Sequence, residues 1–134
     1  MHVSRLLAAL CVSLVAYMSV CAADSPPPAA AASSAKLATR GKILFLRCSS
    51  CHDVSSTDSP KIGPNLQGIV GRKVGSLPGF KYSPAMSAQN FVWDEAALDR
   101  WLTNPGQMVP GTAMAFGGIP EAADRKALIA FLKK

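Results

Sequence analysis

Imidazole and thiol side chains are scarce in this 134-residue chain. Two histidines, His2 and His52, and four cysteines, Cys11, Cys21, Cys48 and Cys51, are the whole supply. A structural zinc site needs four protein ligands, and no second Cys/His cluster exists to complete one around residues 48–52. No strand alternation survives scrutiny and no internal repeat is visible, so the elements to expect are helices and loops. The one long apolar run, Leu6 to Val20, falls short of the ~20 residues that span a bilayer. Acidic residues are few, 8 against 14 basic, for a net charge of +6. The basic residues are spread along the chain without a stripe, so the charge does not mark a nucleic-acid surface.

The chain is at most one domain, preceded by a leader. Met1 to Arg5 is a short basic segment, Leu6 to Val20 is apolar, and Cys21-Ala22-Ala23 ends in small residues as a signal-peptidase site does. The expected division is a cleavable secretory signal over 1–23, a Pro/Ala-rich flexible spacer over 24–35, and a folded domain over 36–134. A retained N-terminal anchor is the rival reading. A lipoprotein at Cys21 is weaker, because Val20 is large for the place before a lipobox cysteine. Cleavage takes His2, Cys11 and Cys21 away. His52 is then the sole histidine, and Cys48 and Cys51 the sole thiols, of a protein exported to an oxidising periplasm. There two such thiols either pair or are consumed by a cofactor.

Cys48-Ser49-Ser50-Cys51-His52 is a C-x-x-C-H sequence. Two thiols three residues apart can add across the vinyl groups of a haem, and the adjoining imidazole can bind its iron, so the pattern reads as a c-type haem attachment site. A thioredoxin-like motif would need a βαβ setting that the flanks do not offer. A plain Cys48–Cys51 disulfide would close a tiny, strained loop and leave His52 unexplained.

A helix is expected from Ala35 towards Cys48, with Leu37, Ile43, Leu44 and Phe45 as its apolar stripe and the haem motif at its C-terminal end. Gly41 would let another helix come close. Residues 53–82 are rich in turn formers (Pro60, Gly63, Pro64, Gly68, Gly71, Gly75, Pro78, Gly79) and carry no period. So long a structureless loop is unusual in a compact domain, unless a large apolar disc is the core it wraps. Further helices are expected over Asp94–Asn104, capped by Asp94 and buried through Ala97, Leu98, Trp101 and Leu102, and over Pro120–Lys134. The last would start with Pro120 at its first position and bury Ala123, Ala127, Leu128, Phe131 and Leu132.

With no second histidine available, the far side of the iron falls to a methionine. Met114 is favoured, because Pro110-Gly111-Thr112-Ala113-Met114 is a constrained loop far in sequence from His52. Met108 comes second and Met86 third.

Residues 37–134 resemble the class I mono-haem cytochromes c of mitochondria and the bacterial periplasm. The likeness rests on C-S-S-C-H at 48–52, G-P-N-L at 63–66, G-R-K-V-G at 71–75, P-G-F-K-Y at 78–82, Trp93, N-P at 104–105, P-G-T-A-M-A-F at 110–116 and L-I-A-F-L at 128–132. It implies an all-α class I cytochrome c fold: three main helices, short helical turns and long loops around one covalently attached haem c. It also implies thioether bonds at Cys48 and Cys51 and iron ligation by His52 and Met114. The Pro64 carbonyl would accept a hydrogen bond from His52, and Arg72, Tyr82 and Trp93 would bond the buried propionate. Thr112 is the polar neighbour in the Met114 loop. Leu66, Leu102, Phe116, Leu128 and Leu132 match packing positions, and Gly41 and Phe45 would meet Leu128 and Phe131. Trp101 stands where the family usually has a tyrosine, and Met86 where it often has an asparagine. The lysines that ring the haem edge in mitochondrial relatives are largely missing, with Arg47, Lys61 and Lys73 remaining.

The resemblance implies a soluble, monomeric periplasmic one-electron carrier, not an enzyme. Its partners would be membrane-bound or soluble redox proteins: a quinol-oxidising cytochrome complex, a terminal oxidase, a reaction centre or a reductase. Nucleic acid is not expected, nor is stable membrane insertion after cleavage. A haem peroxidase or ligand sensor would require a labile sixth ligand and a distal acid or base, for which no second histidine exists.

Overall fold

The computed structural model describes residues 28–55 and 61–133. The expected leader lies outside them, so its cleavage is not addressed by the fold. Five helices follow in order: α1 (Pro28–Phe45), α2 (Pro84–Ser87), α3 (Glu95–Thr103), α4 (Pro105–Met108) and α5 (Ala122–Leu132). The only β pairing among the described residues is one bridge between Lys73 and Val92. The all-α expectation, three longer helices with short helical turns, is what the chain adopts. None of the described helices is long and apolar enough to cross a membrane.

α1 begins earlier than its apolar pattern indicated. Residues 28–34, assigned to the spacer, form its first turns. A run of alanines is the best helix-forming sequence there is, and proline is tolerated in a first turn, where its missing N–H costs nothing. The buried face also differs from the expected stripe. Ala38, Gly41 and Phe45 face inward, whereas Ile43 is 64 % exposed. Small side chains decided the face, because they let α5 approach. A Cβ on Gly41 would overlap the Ala127 carbonyl oxygen and stand 2.7 Å from Phe131 Cβ. Gly41 thus meets Ala127 and Phe131, and the Phe45 and Phe131 rings pack 5.4 Å apart.

α3 is capped as its sequence indicates, the Asp94 carboxylate accepting the Ala97 amide at 2.6 Å. All four residues of its expected stripe are buried. α5 starts at Ala122, not at Pro120. The Ile119 and Pro120 carbonyls are held by the Arg125 guanidinium, at 3.0 and 2.7 Å, which keeps Pro120 outside the helix. Ala123 is consequently exposed, while Ile129 and Arg125 are buried beside Ala127 and Leu128. Arg125 reaches further to Asp99 on α3, its Nε donating to the carboxylate at 2.8 Å. Helices α1, α3 and α5 and the turn-rich segment 61–82 close around a central cavity.

Candidate haem site

α1 ends at Phe45, and the chain continues through tight turns. The Cys48 amide donates to the Phe45 carbonyl at 2.8 Å, and the His52 amide to the Cys48 carbonyl at 2.9 Å. This winding presents Cys48, Cys51 and His52 to one cavity. The two thiols are not joined to each other. Burial chiefly raises the Cys48 pKa, against the lowering influence of Arg47, so the thiol keeps its proton.

His52 is 8 % exposed, and its Nδ1 lies 2.7 Å from the Pro64 carbonyl. A carbonyl only accepts, so Nδ1 carries the proton and the lone pair resides on Nε2, the tautomer a metal needs. Burial is the main influence lowering the pKa of His52. The Pro64 contact opposes it, and Lys61 adds to it. The closeness of residues 63–64 to the ring depends on glycine, since a Cβ at Gly63 would lie 2.5 Å from His52 Cε1. Above the motif, the half-buried Lys61 ammonium donates to the Ser49 carbonyl at 2.5 Å and to the His52 carbonyl at 2.9 Å.

The cavity encloses about 460 Å³, within the usual range of cofactor pockets. Cys48, Cys51, Pro64, Arg72, Tyr82, Trp93, Thr112, His52 and Met114 all line it. So do the expected packing residues Leu66, Leu102, Phe116, Leu128 and Leu132. Of the other methionines, Met86 reaches the cavity and Met108 does not. Trp101 also lines it and packs edge-on against Trp93, centroids 5.4 Å apart.

A polar end is built where residues 71–74 run beside 91–93. The Gly71 amide donates to the Trp93 carbonyl and the Trp93 amide to the Arg72 carbonyl, both at 2.9 Å. The Arg72 guanidinium is fixed by the carbonyls of Asn65, at 3.0 Å, and Gln67, at 2.7 Å. Tyr82 Oη accepts the Leu77 amide at 3.4 Å, which leaves its O–H to donate. Among the described residues no carboxylate lines the cavity, whereas Arg47, Arg72 and Lys81 do. Apolar walls, two thiols, an Nε2 lone pair and a thioether, with cations and donors at one end, suit an amphipathic porphyrin bearing acidic side chains.

Three contributors escaped the sequence reading. Lys61 reads in sequence as a surface charge, yet it holds two carbonyls of the motif turn. Asn65 is buried, with Oδ1 accepting the Gln67 amide at 2.7 Å and Nδ2 unpartnered. Arg125 could have been found from helical spacing, which puts it three and four residues from Leu128 and Ile129 on an apolar face, where a charged side chain demands partners.

Residues 38–134 match the family model described as Cytochrome c, and the chain belongs to that family. It is 47 % identical over 93 residues to cytochrome c2 of Rhodomicrobium vannielii, covering 69 % of this chain and 74 % of the relative. Identity to cytochrome c of Stellaria longipes is 44 % over 97 residues, covering 72 % and 90 %. Among solved structures, cytochrome cH from Methylobacterium extorquens superposes with a TM-score of 0.67 at 37 % identity, over 72 % of this chain and 96 % of that one. The protein is therefore an electron carrier of the class I cytochrome c fold, with one haem c attached covalently and redox proteins as its partners.

Proposed function

We propose that the protein is a periplasmic one-electron shuttle whose haem is ligated by His52 and Met114 and which catalyses no reaction of its own. The observation that carries this reading is the pairing of two walls. On one, the Pro64 carbonyl holds the His52 ring with Nε2 free; on the other, the loop 110–116 brings Met114 to the same cavity. When bound, the haem supplies a ferrous/ferric couple, and a methionine sulfur opposite histidine raises its potential relative to two nitrogen ligands.

The chain's own residues do the rest. Cys48 and Cys51 anchor the porphyrin edge, and Lys61 braces the turn that carries them. Arg72, Tyr82, Trp93 and Thr112 offer donors to the propionates, because a buried carboxylate left unpaired costs several kcal/mol. Leu98, Leu102 and Leu128 exclude water, which limits solvent rearrangement when charge changes. Export by the leader and exchange with a quinol-oxidising complex, an oxidase, a reaction centre or a reductase complete the reading.

The test is a spectrum of the protein matured with its haem. Colour should survive acid-acetone extraction, and a weak long-wavelength sulfur-to-ferric-iron band should be present and lost in Met114→Ala. A high-spin ferric spectrum in the unsubstituted protein would overturn the ligand assignment.

A further inference from the structure

The loop that brings Met114 to the cavity is anchored at its two ends and little between them. Val109 and Ile119 are each 1 % exposed, and the Ile119 amide donates to the Leu102 carbonyl at 2.7 Å. Between these anchors the hydrogen bonds stay inside the loop. The Thr112 amide donates to the Val109 carbonyl, the Met114 amide to Thr112 Oγ1, and the Phe116 amide to the Met114 carbonyl. Among the described residues no hydrogen bond joins 110–117 to any residue beyond the anchors at 109 and 119. One charged contact does. The Arg47 guanidinium carbon sits 5.7 Å from the centroid of the Phe116 ring, inside the ~6 Å reach of a cation–π interaction.

Arg47 directly precedes Cys48, and both Arg47 and Phe116 line the cavity that Met114 faces. Its charge is not engaged by any carboxylate among the described residues, whereas Arg40, two turns earlier on α1, is paired with Asp124. The contact therefore joins the segment holding the two cysteines to the segment holding the methionine.

We propose that Arg47 is a positioning residue: seated on Phe116, it latches the 110–116 loop to the haem-bearing turn and so keeps Met114 at the iron. This rests on the Met114 ligation proposed above. An outside ligand that replaces Met114 must let the loop swing out, and the latch opposes that opening. An exposed cation–π contact is worth about 0.5–1 kcal/mol, which corresponds to a two- to fivefold change in the affinity of the competitor.

The experiment is titration of the ferric, haem-loaded protein with imidazole, followed by loss of the sulfur-to-iron band. Arg47→Gln is expected to bind imidazole about two- to fivefold more tightly than the unsubstituted protein, with Arg47→Lys in between. In a Phe116→Leu background, Arg47→Gln should make no further difference, because the two residues act as one contact. Equal imidazole affinity with and without Arg47→Gln overturns the latch. So does an undiminished effect in the Phe116→Leu background, which would assign it to charge alone. Both of those results leave the Met114 assignment intact if the band is present and Met114→Ala removes it. A band that persists in Met114→Ala overturns the ligand reading and the latch together.

Discussion

Gly41 packs directly on the main chain of Ala127 where α1 crosses α5, and a Cβ added there would sit 2.8 Å from the Ala127 carbonyl carbon. Two effects of Gly41→Ala oppose each other. Removing a mid-helix glycine favours the helix by roughly 0.5–1 kcal/mol. Overpacking a tight contact costs about 1–3 kcal/mol, and the obstacle here is backbone, which cannot rotate away. The clash should win. Guanidinium unfolding of the haem-loaded protein is expected to show Gly41→Ala destabilised by about 1–2 kcal/mol, and Gly41→Val by more. An unchanged or higher midpoint would mean that the crossing is loose.

Arg125 joins α5, α3 and the chain entering α5 through Asp99, Ile119 and Pro120. Arg125→Met would strand two carbonyls and one carboxylate. Because Asp99 is 44 % exposed, water recovers part of the loss, and the cost should fall near 2–3 kcal/mol, below that of a fully buried pair. Arg125→Lys should restore less than half of it, since an ammonium cannot reproduce the guanidinium fork. Full rescue by lysine would show that charge alone matters at this position.

Asp53 follows His52, and its carboxylate accepts the Ser55 amide, the Ser55 hydroxyl and the Val54 amide. These bonds, those from Ser55 foremost, lower its pKa from 3.8 to about 2. A carboxylate depressed in the folded state adds stability that is present above pH 3.8 and is lost as pH falls towards 2. Asp53→Asn should flatten the decline of unfolding midpoint across that window and change its slope little above it. Identical acid limbs in the two proteins would contradict the capping role.

Around the cavity, cations are few: among the described residues Arg47, Arg72 and Lys81 line it. Lys61 holds backbone carbonyls, Arg72 holds Asn65 and Gln67, and Arg47 covers Phe116. Lys81 is exposed and lines the cavity. Charge steering should therefore be weak, and electron-transfer rates with an acidic partner should fall only gently as salt rises. Stopped-flow oxidation by ferricyanide across a salt series checks this, and Lys81→Gln should flatten the remaining slope. A steep fall that persists in Lys81→Gln would locate the steering charge elsewhere.

The haem motif, the Met114 loop and the capped, amphipathic α3 were legible because each is local. Cys48, Cys51 and His52 declare themselves by spacing, and Asp94 by its place before an apolar stripe. What escaped depends on partners remote in sequence. Ile43 looked like core on hydrophobicity, but the inward face of α1 is set by Gly41 meeting Ala127, over eighty residues away. Pro120 looked like a first helical residue until Arg125 claimed its carbonyl. Lys61 reads as surface charge in any window of sequence, because its acceptors are main-chain oxygens that only folding brings near.

The crossing of α1 on α5 also orders events in time. Synthesis delivers the partners of Gly41 and Phe45 over eighty residues later, since these are Ala127 and Phe131. Until α5 emerges, the first helix lacks the partner it crosses. An α1 without that partner leaves the neighbouring Cys48 and Cys51 reachable for modification before the tertiary structure seals.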